Sequence, residues 1–424
     1  MVVAFLCGNA VIVRVEASAT DLPVATLSAL SSASAEHRQT SGSTAQAGPE
    51  WIRVAVVEHQ PQVDLAIHGR FRMVGLQQAV PALQRGRQAE LLHEGPRLSR
   101  VSVHAIQQGI MVGEQLLPAN SVRVEPARDA TIDLNGHRLR GTVEIHRQDD
   151  LTLLVINRVE LEDYLRGVLS KEAPDYWPAE ALKALAIAAR TYTLFQRLSK
   201  SSGGYDVTGD ILSQVYGGKT AERWRTSRAV KETEGLILTY RGRIFPAFYH
   251  STCGGLTEHA AVMGPFDLEP LQGKLACSFC VDSPFYRWQR QLTKADIAWA
   301  VKRQGRGSIW PVEGMEIAAY SPTGRIAQVR IRGAGRALLL TGYEVREMLG
   351  FATIRSTAFA IIPAGESFMI QGRGWGHGVG LCQWGAAELA RRGLCAQEIL
   401  AYYYPRAELA RMGDVDVQPI PGGP

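Results

Sequence analysis

The spacing of apolar residues changes along the chain and divides it into a β-rich part and a later mixed part. Between Trp51 and Val159, runs rich in branched apolar residues are separated by Gly, Pro, Asn and Asp, which predicts short β-strands. The predicted strands cover residues 52–57, 63–67, 101–106, 131–134 and 151–157. We therefore expect residues 51–150 to be mainly β.

A helical pattern begins after this region. Its apolar residues recur every three or four positions and form one stripe: Leu161, Tyr164, Leu165, Val168 and Leu169. Pro174 ends this helix, because the residue before a proline avoids helical angles, and Pro178 suits the first turn of a second helix. The two predicted helices therefore meet at a short corner that contains Glu172.

The rest of the chain alternates between helix and strand patterns. We expect a hairpin over 236–249, a helix over 294–303 capped by Thr293, strands near 315–320, 327–331, 337–340 and 368–371, and closing helices over 382–392 and 396–403. The predicted fold class is α+β, with a mainly β N-terminal part over 51–150 and a mixed helix and strand domain over 151–412.

Composition and charge exclude some classes of protein. Of the 424 residues, 46% are hydrophobic and 21% are charged, as in an average soluble domain. The net charge of +5 is spread without a dense Lys/Arg run, which argues against a nucleic-acid partner. No run reaches the roughly 18 uncharged apolar residues that cross a bilayer, so we expect no integral membrane span.

Residues 1–50 have the composition of a signal-like segment and a linker. An apolar run over 2–13 precedes Ala17-Ser18-Ala19, which resembles a signal-peptidase site, although no Lys or Arg precedes the run. A Ser/Ala-rich stretch then continues to Pro49. Export to the periplasm, the cell wall or the medium is the favoured interpretation, and a frayed N-terminal strand is the alternative.

Glu172 is the first candidate for chemistry. A general acid must keep its proton near neutral pH, which requires partial burial in a cleft. A corner between two helices, flanked by Tyr176 and Trp177, offers such a place. Taken alone the signal is weak, because a glutamate at a helix end is usually solvated.

Two pairs of metal-type ligands form the second candidate. Each pair has the spacing to reach one ion, which fits a closed tetrahedral structural zinc site with one ion per chain. The four predicted ligands are His250, Cys253, Cys277 and Cys280. The alternative is a Cys277–Cys280 disulfide, which an exported protein permits but which leaves Cys253 unpaired. We interpret Cys382 and Cys395 as buried thiols.

A Gly-rich loop from Gly372 to Gly380 is the third candidate. Glycine at alternate positions lets other groups approach the backbone closely, and the spacing is not that of a phosphate-binding loop. The side chains left to act are Arg373, Trp375, His377 and Gln383. Aromatic and amide groups along a groove suit sugar rings. The alternative is a Gly-rich hairpin with an incidental histidine.

Several blocks of the sequence together resemble a known family. They are 167–174 followed by 180–192, then 214–218, 249–257 and 376–386. In this order they resemble the stage II sporulation protein D and LytB family of cell-wall proteins, over roughly residues 51–405. The resemblance implies a lytic transglycosylase that cleaves the bond between N-acetylmuramic acid and N-acetylglucosamine in peptidoglycan and leaves a 1,6-anhydro product.

The resemblance also implies residue roles. Glu172 matches the family's catalytic glutamate, and the His/Cys set matches its zinc site. The positions that match the family's groove are Arg190, Gln214, Tyr216, His377 and Gln383. Lys171 departs from the family pattern, and a lysine that points inward would lower the pKa of Glu172.

Two other functions remain open at this point. One is a non-catalytic amidase enhancer of the LytB kind, whose partner would be a cell-wall amidase. The other is a zinc-stapled glycan-binding module. A carboxyl group at position 172 and an intact loop around His377 and Gln383 favour the enzyme.

Overall fold

The structure is a computed structural model that describes residues 50–76, 90–200, 204–209 and 214–420. All of these residues lie in one compact unit, Ala45–Pro424. The predicted signal-like segment and nearly all of the linker, residues 1–49, lie outside the described residues. None of the helices that the structure describes is long and apolar enough to cross a membrane.

The N-terminal part is built from strands, as the sequence predicts. They are β1 (Trp51–Gln60), β2 (Gln62–His68), β3 (Phe71–Gly75), β4 (Glu90–Gly95), β5 (Leu98–Ile106), β6 (Gly109–Val112), β7 (Gln115–Leu117), β8 (Ser121–Pro126), β9 (Thr131–Leu134), β10 (His137–Leu139), β11 (Thr142–Arg147) and β12 (Leu153–Glu160). Strand β1 pairs antiparallel with β12, with Trp51 opposite Glu160. This pairing places the start of the described chain beside the first helix.

Two sheets of this part share one core. A six-stranded sheet has the order β10-β9-β2-β5-β6-β7. Six strands of a seven-stranded sheet follow the order β1-β12-β11-β8-β3-β4, and its seventh strand comes from the next part of the chain. Alternate residues of both sheets are buried together, such as Val63 and Leu65 of β2 with Val143 and Ile145 of β11. This is the packing of a β-sandwich, in which each strand turns every second side chain inward.

The helical layer follows directly after β12. Its elements are α1 (Leu161–Glu172), α2 (Ala179–Ser199), β13 (Val207–Thr208), α3 (Gly218–Ala221), α4 (Trp224–Glu232), β14 (Leu236–Tyr240), β15 (Arg243–Ile244), β16 (Tyr249–His250) and three 3-10 turns, Ala260–Val262, Glu269–Leu271 and Ser278–Cys280. β13 adds to the seven-stranded sheet beside β1. The predicted hairpin forms, but its second strand ends at Ile244, and β16 pairs elsewhere.

Residues 287–373 form a third layer, which we call the insert. In the sequence, the insert separates the two halves of the helical layer. It consists of β17 (Arg287–Thr293), α5 (Lys294–Arg303), β18 (Val312–Tyr320), β19 (Ile326–Gly333), β20 (Arg336–Thr341), α6 (Gly342–Leu349), β21 (Phe359–Ala364) and β22 (Ser367–Arg373). Thr293 caps α5 through a reciprocal capping box with Asp296, so the predicted cap is confirmed. The insert has its own core, which includes Ile297, Val329 and Ile370.

The chain closes on the helical layer. The last elements are β23 (Leu381–Cys382), α7 (Gln383–Arg391), α8 (Ala396–Tyr403) and β24 (Glu408–Arg411). Strand β23 pairs in parallel with β16, which sets Cys382 opposite His250. Buried residues of α7 and α8, such as Ala386, Leu389 and Ile399, join the core of α1 and α2. The α+β class predicted from the sequence is confirmed.

Candidate active site

Glu172 lies at the corner between α1 and α2. It is the last residue of α1, and the backbone of Ala173 turns extended, with φ −142° and ψ 140°. The following Trp177 is buried and packs edge-on against Trp384 of α7, with ring centroids 5.4 Å apart. Pro178 then precedes the first turn of α2. The predicted corner is confirmed, and α7 packs beside it.

Both oxygens of the Glu172 carboxyl group accept hydrogen bonds from groups far away in sequence. The backbone N–H of Val215 donates to Oε1 at 3.2 Å. The Nε2 amide of Gln383, the first residue of α7, donates to Oε2 at 3.1 Å. These two bonds fix the orientation of the carboxyl group from opposite parts of the helical layer.

The surroundings of Glu172 favour its protonated form. Burial raises the pKa of Glu172 above its ordinary value and outweighs the bonds from Val215 and Gln383, each of which lowers it. The C-terminal end of α1 adds a partial negative charge beside the group, which also disfavours the carboxylate. Lys171 is exposed and its stem lies against Gly217, so it does not point inward. The corner therefore suits a proton donor.

The segment that carries Val215 is tied down by Gln214 and Tyr216. The Oε1 atom of Gln214 accepts hydrogen bonds from the hydroxyls of Tyr164 at 3.0 Å and Thr193 at 2.9 Å. The hydroxyl of Tyr216 donates to Oδ1 of Asn157 at 2.9 Å. Gln214 and Tyr216 thus lie behind the carboxyl group rather than in a groove, and they hold the Val215 amide in place.

A cavity of about 410 Å³ opens in front of Glu172, within the size range of small-ligand sites. Four of the side chains predicted for catalysis or glycan binding line it, Glu172, Trp375, His377 and Gln383, and so does the expected metal ligand His250. Among the described residues that line the cavity, Glu172 is the only carboxylic acid. Tyr192 and Tyr249 also line it, and burial raises the pKa of Tyr192 to about 12, so that its hydroxyl keeps its proton.

His377 holds the Gly-rich loop in place. Its Nδ1 accepts a hydrogen bond from the N–H of Val379 at 3.0 Å, so Nε2 carries the proton and donates to the Tyr249 carbonyl at 2.9 Å. Burial lowers the pKa of His377 well below its usual value. A neutral ring with both nitrogens bonded to the backbone shapes the cavity wall and is not available as an acid or a base.

The glycines of this loop are needed for close packing. Gly376 has φ +113°, and a Cβ there would lie 2.7 Å from Cβ of His250. Gly378 has φ +87°, and a Cβ there would lie 2.6 Å from Cζ of Arg325. Side chains at these positions would push the loop off β16 and off the insert.

Trp375 and Arg373 of the Gly-rich loop line two different cavities. Trp375 packs edge-on against Phe285, with centroids 4.4 Å apart, and presents its ring to the cavity. Arg373 instead lines a different cavity of about 690 Å³, next to Trp288 and Phe359 of the insert. The described residues that line this second cavity include no carboxylic acid and no histidine, so the structure places Arg373 away from the candidate site.

Arg190 also lies away from the cavity, although the family resemblance placed it in the groove. It is fully buried, and its Nε and Nη2 atoms donate to the two oxygens of Glu162 at 2.7 and 2.8 Å. Its Nη1 atom donates to the Leu236 carbonyl at 3.0 Å. Arg190 therefore ties α1, α2 and β14 together.

The candidate metal centre is a group of four buried cysteines. Their sulfur atoms all lie within 4.8 Å of one another, and the residues are Cys253, Cys277, Cys280 and Cys382. Four zinc–sulfur bonds of about 2.3 Å in a tetrahedron require sulfur separations of roughly 3.8 Å, so the group fits. None of these cysteines is in a disulfide. The structure thus supports a possible metal site.

The fourth member of this group differs from the expected one, because Cys382 takes the place of His250. The Nδ1 atom of His250 lies 3.0 Å from the Val379 carbonyl, and its ring faces His377 in the cavity, with centroids 5.5 Å apart. Two N–H groups donate to the sulfurs, from Cys253 to Cys382 at 3.3 Å and from Gly255 to Cys253 at 3.4 Å. Cys395 is exposed at the start of α8, not buried as expected.

Sequence comparisons relate this chain to known proteins. A family model described as stage II sporulation protein matches residues 149–240, which include α1, α2 and Val215. Stage II sporulation protein D of Bacillus subtilis is 30% identical over 272 residues, which are 60% of this chain and 76% of that protein. This chain belongs to the stage II sporulation protein D family. An uncharacterised protein of Brachyspira hyodysenteriae is 32% identical over 278 residues, 64% of this chain and 72% of that protein.

A further relative has a different name. The protein called Amidase enhancer of Bacillus subtilis is 27% identical over 340 residues, which are 68% of this chain but 47% of that protein. A second family model, described as a domain of unknown function (DUF8618), matches residues 278–380 and so covers the insert. Relatives with these names support a function connected with the cell wall.

The cavity contains residues that the sequence analysis did not single out. Tyr192 and Tyr249 lie inside the sequence blocks that carry the family resemblance. Their place in those blocks could have marked them as site residues. Tyr343, Arg346 and Phe351 reach the cavity from the insert, where no motif marks them. Only the fold brings these three side chains to Glu172.

Proposed function

We propose that this protein is a lytic transglycosylase that cleaves peptidoglycan glycan strands with Glu172 as its acid and base. The observation that supports it most strongly is a single carboxyl group, with a raised pKa, held by Val215 and Gln383 at the wall of a cavity. A two-carboxylate glycosidase would need a second acid across the scissile bond. The cavity offers none among the described residues that line it.

The reaction balances with one carboxyl group. Glu172 donates its proton to the oxygen between N-acetylmuramic acid and N-acetylglucosamine, and the bond from that oxygen to the anomeric carbon of the muramic residue breaks. The Glu172 carboxylate then takes the proton of the muramic 6-hydroxyl, whose oxygen bonds to the anomeric carbon. The product is a 1,6-anhydro sugar, no water is consumed, and Glu172 regains its proton.

The hydrogen bonds around Glu172 suit both halves of this cycle. Burial favours the protonated acid at the start, while the Val215 and Gln383 donors stabilise the carboxylate after the proton has left. The neutral hydroxyl of Tyr192 lies close enough that the charge of Glu172 raises its pKa. Such a donor can orient a sugar hydroxyl without competing for the proton.

We further propose that the four cysteines hold one structural zinc ion per chain. Zinc would supply a rigid crosslink and no open coordination position, because all four ligands come from the protein. Cys382 directly precedes Gln383, and Cys253 follows His250 by three residues, so the crosslink would fix the donor to Glu172 and one wall of the cavity. The site would act as a scaffold for the carboxyl group.

The name of the Bacillus relative supports one alternative, in which this protein binds glycan and stimulates a cell-wall amidase without cutting glycan itself. In either case we propose an exported protein that works in the periplasm or the cell wall, since its substrate lies there. The expected partners are glycan strands and, in the alternative, the amidase.

The deciding experiment compares three proteins on purified glycan strands, with and without stem peptides. Wild type and the surface control Glu234→Gln should release anhydro-muramic products, while Glu172→Gln should release none. Equal product from Glu172→Gln would overturn the role of Glu172. No product from wild type, together with stimulation of an added amidase, would favour the enhancer.

The zinc proposal is tested by elemental analysis of the purified protein. One zinc ion per chain is expected. A metal-free folded protein with a disulfide among the four cysteines would contradict it.

A further inference from the structure

Arg346 of the insert carries its positive charge to the wall of the Glu172 cavity. It lies on α6 and is 4% exposed. Its Nε atom donates to the Ile354 carbonyl at 3.0 Å, and its Nη2 atom donates to the Arg355 carbonyl at 2.9 Å. The guanidinium also stacks over Phe351, with Cζ 4.9 Å from the ring centroid. These contacts hold the head group in one orientation, and Nη1 has no hydrogen-bond partner among the described residues.

Arg346 differs from the other deeply buried arginines in having no acidic partner in the described part of the chain. Arg190 pairs with Glu162 at 2.7 Å. Arg325 is attracted to Glu258, which is itself 1% exposed. Within the described ranges, no carboxylate lies within ion-pair distance of Arg346. A buried charge without a partner is costly, so its retention requires compensation from elsewhere.

The rest of the cavity does not supply that compensation. Burial lowers the pKa of Arg346 to about 10, so the group stays protonated at neutral pH. The two histidines of the wall, His250 and His377, supply no negative charge. Burial raises the pKa of Glu172, the one acid of the described lining. With Glu172 in its acid form, the cavity carries one uncompensated positive charge.

We propose that Arg346 is a specificity-determining residue that binds a carboxylate of the substrate, and that the insert exists in part to supply it. The buried, immobilised guanidinium without a counter-ion at the wall of the cavity carries this inference. The assignment of the substrate rests on the proposed function. In a glycan strand, the lactyl group of muramic acid provides a carboxylate when no stem peptide is attached, and N-acetylglucosamine has none.

This placement would distinguish the two sugars of the strand. The muramic residue must present its anomeric carbon and its 6-hydroxyl to Glu172, and a contact from its lactyl carboxylate to Arg346 would seat that residue rather than its neighbour. A stem peptide converts the lactyl carboxylate into an amide and removes the charge at that point. The carboxylates of the peptide itself are a second source of the same chemistry, farther from the sugar ring.

The test measures binding in the Glu172→Gln background, where no turnover interferes. Calorimetry compares three oligosaccharides of equal length: one with free lactyl carboxylates, the same one carrying stem peptides, and a chitin oligomer. A charge-assisted contact predicts roughly tenfold to hundredfold tighter binding of the free-acid oligomer than of chitin. Arg346→Gln should abolish this preference, Arg346→Lys should keep part of it, and the exposed control Arg330→Gln should keep all of it.

The other outcomes separate a failure of this inference from a failure of the proposed reaction. If Arg346→Gln weakens the binding of all three ligands equally, Arg346 has a structural role. Melting curves of the variant show whether it is still folded. A preference for the peptide-bearing oligomer that depends on Arg346 would place the recognised carboxylate on the peptide. Absence of binding to all three ligands would overturn the site. If wild type makes no anhydro product but the Arg346-dependent preference is present, the proposed reaction fails and the carboxylate site stands.

Discussion

Replacement of Arg190 by methionine tests whether this residue holds the helical layer together or binds substrate. Methionine keeps an unbranched apolar stem and removes the charged guanidinium group. The substitution breaks the paired hydrogen bonds to Glu162 at 2.7 and 2.8 Å, and it leaves the Leu236 carbonyl without its donor at 3.0 Å. All of these groups lie behind the cavity, on α1 and at the start of β14.

The expected loss of stability follows from the burial of the two partners. Breaking a buried ion pair by removing one member costs about 3–5 kcal/mol. The side chain of Arg190 is 0% exposed but that of Glu162 is 22% exposed, so water relieves part of the charge left behind. We therefore expect the lower end, about 3 kcal/mol, which is a large fraction of the roughly 5–15 kcal/mol that holds a typical domain folded.

Urea denaturation of four proteins measures this effect. They are wild type, Arg190→Met, Glu162→Leu and the double variant, which form a double-mutant cycle. The double variant should recover part of the loss, since no unpaired charge remains. If Arg190→Met unfolds like wild type but no longer binds glycan, then Arg190 belongs to the groove and its assignment as a structural tie is refuted.

Three further predictions concern the carboxyl group and the cysteines. The pKa of Glu172 is raised in the folded protein, so its contribution to stability is complete below its unfolded pKa and is lost as the pH rises through the folded pKa. Glu172→Gln should therefore have a higher melting temperature than wild type at neutral pH and the same melting temperature near about pH 4. A constant difference in melting temperature across this pH range would contradict the argument that burial raises the pKa. Gln383→Leu removes a donor that lowers the pKa of Glu172, so the alkaline limb of its pH–rate profile should move to higher pH, whereas an unmoved limb would show that Gln383 does not act on the carboxyl group. Cys382→Ser should lower the zinc content of the purified protein while His250→Gln leaves it unchanged, and the reverse result would restore the histidine ligand predicted from spacing.

The elements around Glu172 could be predicted because their signals are local. The apolar stripe of α1, the proline that ends it and the proline that opens α2 lie within eighteen residues of one another, and the structure ends α1 at Glu172. The capping of α5 by Thr293 depends on residues three positions apart. Such patterns report the local backbone directly.

The fourth cysteine could not be predicted because it depends on a long-range pairing. The spacing of His250 and Cys253 predicted that both bind the same metal ion, because ligands close in sequence often do. In the fold, β16 pairs with β23, and this pairing brings Cys382 into the group from 129 residues beyond Cys253. Nothing near Cys382 in the sequence distinguishes a ligand from a buried thiol.

The insert accounts for the other part of the site that the sequence did not reveal. Four of its strands, β18, β19, β20 and β22, were predicted, but β17, β21 and the packing of the insert against the cavity were not. Tyr343 and Arg346 stand on a short helix with an ordinary capping box, and their proximity to Glu172 arises from the packing of one layer on another. Conversely, Arg190 stands in a block typical of the family, yet its contacts are those of a buried structural residue.

The most direct test of the central claim follows the oxygen atoms of the product. Glycan strands are cleaved in water enriched in heavy oxygen, and the new muramic ends are weighed by mass spectrometry. A single carboxyl group acting on the muramic 6-hydroxyl predicts ends that are one water lighter than a reducing sugar and free of label, formed by wild type and absent with Glu172→Gln. Labelled reducing ends from wild type, or unlabelled anhydro ends from Glu172→Gln, would contradict the account.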